Sequence, residues 1–363
     1  MYSGASSFTL FMRKKSDKGV LMKTTMVGLA FLLLGSSTVS PMKQEIGSQG
    51  SGITFEQCCN DRQPGHLPIF RFDGFASYTT AIAASGDAAD IYYPTDGSPD
   101  IFARLGDSFP VVVVLQGGRT TRGFYSEYAG RIARHGFIVI VPDHIRVFPP
   151  GAPVPPAALT EASVLNHAFA HVVAEGTNPG SPIFGLVDGS RLGVTGHSLG
   201  GAVALNIIGG ICPAGLCTPG YVRPPELKAA ALYATNFFSP PPAPPAVMPI
   251  DTSAVPVALI QGLNDGRALP ARATATYLEL EAPRALIEIE GANHYGINDV
   301  NNPAGATPDP SPSLISQSEA LDRIATWTAL FLRAEIWGDP IARFYVYESG
   351  GSIDSTVTVT SER

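Results

Sequence analysis

The feature that most constrains the fold is a pair of short, wholly apolar runs rich in β-branched residues, Phe109–Leu115 (FPVVVVL) and Phe137–Val141 (FIVIV). A strand with one solvated face alternates apolar and polar residues, whereas a continuous apolar run is typical of a strand buried on both faces. The residues between the two runs, 124–135, have helical spacing. The three segments therefore predict two buried strands joined by a helix.

The same alternation continues along the chain. Short β-like runs lie within 80–93, and further strands are predicted at 191–195, 228–235, 255–260 and 285–289, with helices over 159–175, 270–281 and 314–335. Alternating strands and helices favour a mostly parallel sheet covered on both faces. The proline-rich segments 148–156 and 239–249 predict exposed loops, because proline lacks a main-chain donor. We expect a linker over 41–74, one catalytic domain over 75–337, and a C-terminal tail or edge strand over 338–363.

Composition excludes two broad classes of protein. Hydrophobic residues make up 45% of the 363 residues and charged residues 15%, which is enough apolar surface to exclude a disordered polyelectrolyte. The net charge is −7, and no block of Lys or Arg occurs beyond the N-terminus. Because nucleic-acid binding depends on clustered cations, no nucleic-acid partner is expected. The composition is compatible with three classes of protein: a soluble enzyme, a binding module or an exported surface protein.

The first forty residues have the pattern of a signal peptide or an N-terminal anchor. Basic residues between Arg13 and Lys23 precede the apolar run Met26–Leu34, and small residues follow it. Nine apolar residues are too few to cross a bilayer as a helix. We therefore expect an exported protein, periplasmic or secreted, that associates with a membrane only through this segment. Met22 is an alternative start, and an uncleaved anchor is an alternative to cleavage.

Export would permit disulfide bonds between the four cysteines. Cys212 and Cys217 close a short loop (CPAGLC) and are the favoured pair, whereas the state of the adjacent Cys58 and Cys59 stays open. The cysteine and histidine spacing does not resemble a zinc site, so no metal is expected.

The motif with the most specific chemistry is GHSLGG at 196–201, which fits G-x-S-x-G. It lies between a predicted strand and a helix rich in small residues. Glycines on either side of Ser198 permit the sharp turn that exposes a hydroxyl at a helix N-terminus. Ser198 is therefore the candidate nucleophile, and a plain strand-to-helix turn is the alternative.

A serine hydroxyl needs a base, and in this fold class the acid and then the histidine follow the serine along the chain. His294 is the one histidine after Ser198, and it lies just past a predicted strand in GANHYG. Asp265, in GLNDG directly after another strand, is the preferred acid. Asp251 is the other aspartate between Ser198 and His294, and it lies in a proline-rich loop.

Backbone N–H groups are expected to stabilise the oxyanion of an acyl-transfer intermediate. One donor follows the nucleophile, at Leu199. The second is predicted at Gly118, because Gln116-Gly117-Gly118 follows the first long buried strand. Small residues there allow the backbone to approach the substrate closely. A simple turn at the end of the strand is the alternative for this loop.

The stretch from Pro110 to His144, together with GHSLGG, GLNDG and GANHYGI, resembles the α/β-hydrolase superfamily over about residues 75–335. It is most similar to the group containing chlorophyllases, polyester-degrading cutinases and platelet-activating-factor acetylhydrolases. The resemblance implies an α/β-hydrolase fold without a large lid. It also implies Ser198, Asp265 and His294 as the triad, with Gly118 and Leu199 as the oxyanion donors. Members often carry His-Gly where this chain has Gln116-Gly117.

These features predict a serine hydrolase that cleaves carboxylic esters through an acyl-enzyme intermediate and needs no cofactor. A small-molecule, lipid or polymeric ester is the expected substrate. Phe124, Tyr125, Tyr295 and Phe237 are candidates to line an apolar cleft, although they could equally pack the core. A peptidase or amidase with the same triad, and a non-catalytic binding protein on a hydrolase scaffold, are the alternatives.

Overall fold

The computed structural model describes residues 71–95, 108–147, 155–239, 243–352 and 354–363. The predictions for the signal segment 1–40, for most of the linker 41–74 and for most of the proline-rich segment 148–156 lie outside the described residues. Residues 240–242 of the second proline-rich segment also lie outside them.

The described chain alternates strands and helices. The strands are β1 (Gly74–Ala81), β2 (Ala88–Thr95), β3 (Phe109–Leu115), β4 (Ile138–Asp143), β5 (Ile145–Arg146), β6 (Ala157–Ala158), β7 (Val187–His197), β8 (Leu227–Tyr233), β9 (Val257–Gly262), β10 (Arg284–Ile289) and β11 (Val357–Glu362). The α-helices are α1 (Ser126–Arg134), α2 (Ala162–Thr177), α3 (Leu199–Ile208), α4 (Pro270–Glu279), α5 (Gln317–Leu332) and α6 (Pro340–Phe344).

Nine of the described strands form one sheet, in the order β1-β2-β4-β3-β7-β8-β9-β10-β11, and β5 pairs with β6 apart from it. From β4 to β10 the neighbours run parallel. At one edge β2 pairs antiparallel with β4 and with β1, and at the other edge β11 pairs antiparallel with β10. The last strand therefore places the end of the C-terminal segment at an edge of the sheet.

Both faces of the sheet are buried, as the continuous apolar runs predict. In β3, Val111, Val113 and Leu115 belong to the core under α2, α3 and α4. Val112 and Val114 point into the opposite core, which α1 and α5 cover. Because successive residues of a strand face opposite sides, an unbroken VVVV run contributes to both cores. A mostly parallel sheet with helices on both faces confirms the predicted fold class.

This topology brings four chain segments together at the carboxyl ends of the parallel strands. The segments that follow β3, β7, β9 and β10 leave the sheet at the carboxyl ends of parallel strands, where open α/β sheets usually bind ligands. The oxyanion loop (residues 116–120) follows β3, and the predicted nucleophile follows β7. The acid loop (263–269) follows β9, and the histidine loop (290–298) follows β10.

Candidate active site

The turn that carries Ser198 is held in an unusual main-chain conformation. Ser198 has φ +52° and ψ −112°, a region that side-chain-bearing residues rarely adopt. A Cβ at Gly200 would lie 2.0 Å from the Leu115 carbonyl oxygen, and a Cβ at Gly196 would lie 2.6 Å from the Gly200 main chain. The glycines of the motif are therefore required by close packing, and the serine is left partly exposed above the sheet.

The structure brings the predicted histidine and acid to this serine. His294 Nε2 lies 3.0 Å from Ser198 Oγ, and His294 Nδ1 lies 2.9 Å from Asp265 Oδ2. Because a carboxylate only accepts, His294 Nδ1 carries the proton and Nε2 is free to accept the serine proton. His294 is 2% exposed and Asp265 is 3% exposed, so water scarcely reaches the pair.

The orientation of the Asp265 carboxylate is fixed by the main chain of its own loop. Its Oδ1 accepts hydrogen bonds of 2.8 Å from the amides of Arg267 and Ala268, which leaves Oδ2 for His294. The alternative acid, Asp251, is exposed. Its carboxylate accepts from the side chain and the amide of Ser253, which lowers its pKa. The structure thus places Asp265, and not Asp251, against the histidine.

The two predicted oxyanion donors adjoin each other. A Cβ at Gly118 would lie 3.8 Å from Leu199 Cδ2, which is ordinary van der Waals contact. Within the described residues, the amides of Gly118 and Leu199 have no acceptor. Gly117 has no such room, since a Cβ there would lie 2.6 Å from His197 Nδ1. Two N–H groups without an acceptor thus belong to Leu199, which follows the serine, and to Gly118, which lies against Leu199, and an oxyanion site requires such donors.

The chain is similar to one protein family and to two cutinases. A family described as "PETase: PET hydrolase-like" matches residues 72–210. "Cutinase 1" from Thermobifida cellulosilytica and "Cutinase" from Thermobifida fusca (strain YX) are each 25% identical to the chain over 229 residues. The match covers 62% of this chain, with 72% of the first relative and 62% of the second.

Residues 72–210 are thus similar to PET hydrolase-like proteins, and 62% of the chain is similar to two cutinases. The family match ends at residue 210, so it includes Ser198 and the oxyanion loop but not Asp265 or His294. Asp265 and His294 are placed next to Ser198 by the distances in the structure.

Of the four aromatic residues predicted to line a cleft, only Phe124 is partly exposed in this protein. Tyr125 has no exposed surface, and its hydroxyl contacts Gly117 and other buried groups. Tyr295 and Phe237 are each 2% exposed. Three of the four therefore pack inside the protein, and the core alternative describes them better than a cleft wall does.

Residues 299–316 form an irregular segment that contacts the loops of the site. This role was not predicted from the sequence. Asp309 is buried in this segment, and one carboxylate oxygen accepts from the amide of His294 at 2.8 Å while the other accepts from the amide of Gly266 at 3.1 Å. One side chain thus holds the histidine loop and the acid loop together. The many Pro, Asn, Asp and Ser residues after His294 were the available sequence signal.

The same segment reaches the other loops of the site. Asp299 accepts from the amides of Ser126 and Glu127, each at 3.1 Å, and so caps α1. Hydrogen bonds join Asn264 to Pro312 and Tyr295 to Thr307, and Gly305 lies close to the carbonyl oxygen of Arg119 in the oxyanion loop. The 299–316 segment therefore touches the acid loop, the histidine loop and the oxyanion loop.

The structure contains the predicted disulfide between Cys212 and Cys217, whereas Cys58 and Cys59 lie outside the described residues. Across the described ranges, no group of three or more His, Cys, Asp or Glu side chains could hold a metal ion. Over the same ranges, no helix is long and apolar enough to span a membrane.

Proposed function

We propose that this protein hydrolyses carboxylic esters with Ser198 as the nucleophile. The observation that carries the proposal is the hydrogen-bonded series from Ser198 Oγ through His294 to Asp265, with contacts of 3.0 and 2.9 Å. The similarity to a PET hydrolase-like family and to a cutinase supports the same reaction. Cleavage of an amide bond by the same residues is the alternative outcome of the test.

In the first half of the reaction, the proton of Ser198 Oγ passes to His294 Nε2 as the oxygen bonds to the ester carbonyl carbon. The carbonyl oxygen takes up negative charge, which the amides of Gly118 and Leu199 stabilise. Asp265 stabilises the imidazolium. The carbon–oxygen bond to the alcohol then breaks, and His294 gives its proton to the departing oxygen.

In the second half, a water molecule gives a proton to His294 and its oxygen attacks the acyl carbon. The bond to Ser198 Oγ breaks, the serine recovers its proton from His294, and the carboxylic acid leaves. The enzyme's own residues return to their starting state.

Ser198→Ala tests the nucleophile. We expect hydrolysis of p-nitrophenyl butyrate to fall by at least about 10³-fold, because no other hydroxyl in the described part of the chain bonds to the His294 ring. Ser253→Ala is the matched control, since it removes an exposed serine hydroxyl bound to Asp251. Its activity should stay within about 2-fold of the parent. Turnover that survives in Ser198→Ala would refute the assignment.

The acid is tested by a second matched pair. Asp265→Asn should lower kcat by about 10²–10⁴-fold, because an amide neither stabilises the imidazolium nor fixes the proton on His294 Nδ1. Asp251→Asn should leave kcat unchanged.

Labelling of the parent by a fluorophosphonate, absent in Ser198→Ala, would exclude a non-catalytic scaffold. Turnover of p-nitroanilides in preference to p-nitrophenyl esters would favour the amidase.

We infer further that the natural substrates are apolar or polymeric esters. Besides the names of the relatives, the support is that Ser198 is partly exposed and that apolar residues of the acid loop face solvent, Leu263 being 44% exposed and Leu269 46%. An exposed apolar rim suits a substrate that is itself a surface. Release of soluble acid from a polyester film, with Ser198→Ala as the background, tests this inference. Activity on short soluble esters with none on the film would restrict the substrate to small molecules.

We also propose that the protein is exported. The disulfide between Cys212 and Cys217 supports an oxidising compartment, and the N-terminal 40 residues have the order of a signal segment. Fractionation of cells expressing the chain from Met1 or from Met22 tests the proposal. Enzyme found in the periplasm or medium would support export, and enzyme retained in the cytoplasm from both starts would refute it.

A further inference from the structure

A second histidine, which the acyl-transfer steps do not use, lies directly before the nucleophile. His197 is 1% exposed and its ring is 4.9 Å from the ring of His294, centroid to centroid. Its Nε2 lies 2.9 Å from the main-chain oxygen of His294, and its Nδ1 lies 2.9 Å from the hydroxyl of Tyr125. Both ring nitrogens therefore have partners, and one partner is the main chain of the catalytic histidine.

These partners decide where the protons lie. A carbonyl oxygen only accepts, so Nε2 of His197 carries a hydrogen and donates it to His294. Burial, followed by the nearby His294, holds the pKa of His197 well below its ordinary value, so the ring is neutral. A neutral ring with hydrogen on Nε2 accepts at Nδ1. The Tyr125 hydroxyl is consequently the donor to His197.

With its own hydrogen committed to His197, the Tyr125 oxygen acts as an acceptor on its other side. The amide of Gly117, in the oxyanion loop, donates to it at 2.9 Å. Thr120 Oγ1, at the end of the same loop, lies 2.6 Å from the Tyr125 hydroxyl and 2.9 Å from the Gly117 carbonyl oxygen. The bond from the Gly117 amide to Tyr125 holds the main chain directly before the Gly117–Gly118 peptide, which carries the N–H of the proposed oxyanion donor Gly118.

We propose that His197 and Tyr125 are positioning residues that hold the oxyanion loop at Gly117 and the main chain of His294 in one fixed relation. The inference rests on the proposed function, because the loop and the histidine matter jointly only for acyl transfer. Hydrogen bonds run without a break from Gly117 through Tyr125 and His197 to His294. The distance between the oxyanion donors and the general base is thereby set by buried side chains.

A neutral ring suits this place better than a charged one. In the transition state His294 becomes an imidazolium, and a second cation with its ring centre 4.9 Å away would oppose that charge. A neutral histidine supplies one donor and one acceptor and adds no charge. Gly117 must lack a side chain for the same arrangement, since a Cβ would meet His197 Nδ1 at 2.6 Å.

Tyr125→Phe tests the proposal, with Tyr128→Phe as the matched control. Both tyrosines are fully buried, but the Tyr128 hydroxyl bonds to Thr195 and Thr328 instead of the oxyanion loop. We expect Tyr125→Phe to lower kcat about 10–100-fold with KM changed less than about 3-fold, because small displacements at a site cost this much. Tyr128→Phe should change kcat less than about 3-fold, even if it melts at a lower temperature.

A second measurement separates positioning from general loss of structure. The rate at which an organophosphate phosphorylates Ser198 also depends on the oxyanion donors, so it should fall with kcat in Tyr125→Phe and stay unchanged in Tyr128→Phe. Equal losses in the two variants, or a Tyr125→Phe enzyme within about 3-fold of the parent, would overturn the proposal. Failure of the proposed function itself would be distinct, because the parent would then neither turn over esters nor react at Ser198.

His197→Gln keeps the proposal testable if Tyr125→Phe does not fold. The variant removes the ring that bridges the Tyr125 hydroxyl and the His294 carbonyl oxygen, and we expect a similar loss of kcat. Because the two residues act as one unit, kcat of the double variant should lie within about 3-fold of kcat of the less active single variant. Losses that multiply in the double variant would show that His197 and Tyr125 act separately, and this would refute the link.

Discussion

Acidification from pH 7 to pH 5 should destabilise this protein through a buried histidine. His135 is 1% exposed, and burial together with the charge of Arg333 lowers its pKa to about 3. The unfolded chain binds a proton near the ordinary histidine value of about 6.5, whereas the folded chain resists it. The stability due to neutral His135 is therefore complete above about pH 6.5 and is lost as the pH falls toward 3.

The size of this loss of stability follows from the difference between the His135 pKa values of the folded and the unfolded chain. Each pH unit below about 6.5 costs about 1.4 kcal/mol per such histidine, so His135 alone removes about 2 kcal/mol of unfolding free energy at pH 5. His197, whose pKa is also lowered, adds a loss of the same sign. Carboxylates with lowered pKa, such as those of Asp188 and Asp339, remain ionised in this range and do not contribute.

Urea unfolding at pH 7, 6 and 5 measures this slope. His135→Gln lowers stability at pH 7 but removes one titrating group, so its unfolding free energy should fall less steeply with pH than that of the parent. Thr274→Ala, which changes an exposed side chain and removes no titrating group, is the control and should retain the parent slope. Equal unfolding free energies of the parent at pH 7 and pH 5, or an unchanged slope in His135→Gln, would refute the reasoning.

Two further predictions concern the loops around the triad. Gly117→Ala should destabilise the fold by about 1–3 kcal/mol in urea unfolding, because its Cβ would meet His197 at 2.6 Å, whereas Gly118→Ala makes only ordinary contacts and should stay within about 0.5 kcal/mol of the parent. Equal effects at the two glycines would contradict the packing argument. Asp309→Asn keeps the shape but loses the charge that the amides of Gly266, His294 and Ser311 share, and we expect kcat to fall about 10-fold and unfolding free energy by about 1–3 kcal/mol. An Asp309→Asn enzyme with parental kcat and stability would show that the carboxylate is dispensable.

The parts of the fold and site that local sequence determines could be predicted. The β-branched run of β3 indicated a strand buried on both faces, and GHSLGG indicated the turn at Ser198 because its glycines are required by close contacts in that turn. The strands β3, β4, β8, β9 and β10 and the longer helices were found with boundary errors of a few residues, whereas β5, β6, α6 and most of β1 were not predicted. The start of β7 is one such error, since the strand begins at Val187 and not at Arg191.

The contacts that join distant parts of the chain could not be predicted in this way. Tyr125 and His197 are 72 residues apart, and nothing in the spacing of either residue indicates that they share a hydrogen bond. The aromatic residues after the oxyanion loop were therefore equally consistent with a cleft wall and with the core. The role of Asp309 also depends on folding, because a carboxylate in a loop acquires its partners only when the loop closes over the site.

The left-handed conformation of Ser198 has a practical consequence for engineering this enzyme. Glycine adopts φ +52° without the steric conflict that serine meets, so replacing the proposed nucleophile Ser198 by glycine would relieve strain in the folded state. Libraries screened for heat resistance alone would thus enrich chains that have lost the reactive hydroxyl. A screen for robust catalysts from this scaffold has to reward turnover and thermal survival in the same assay.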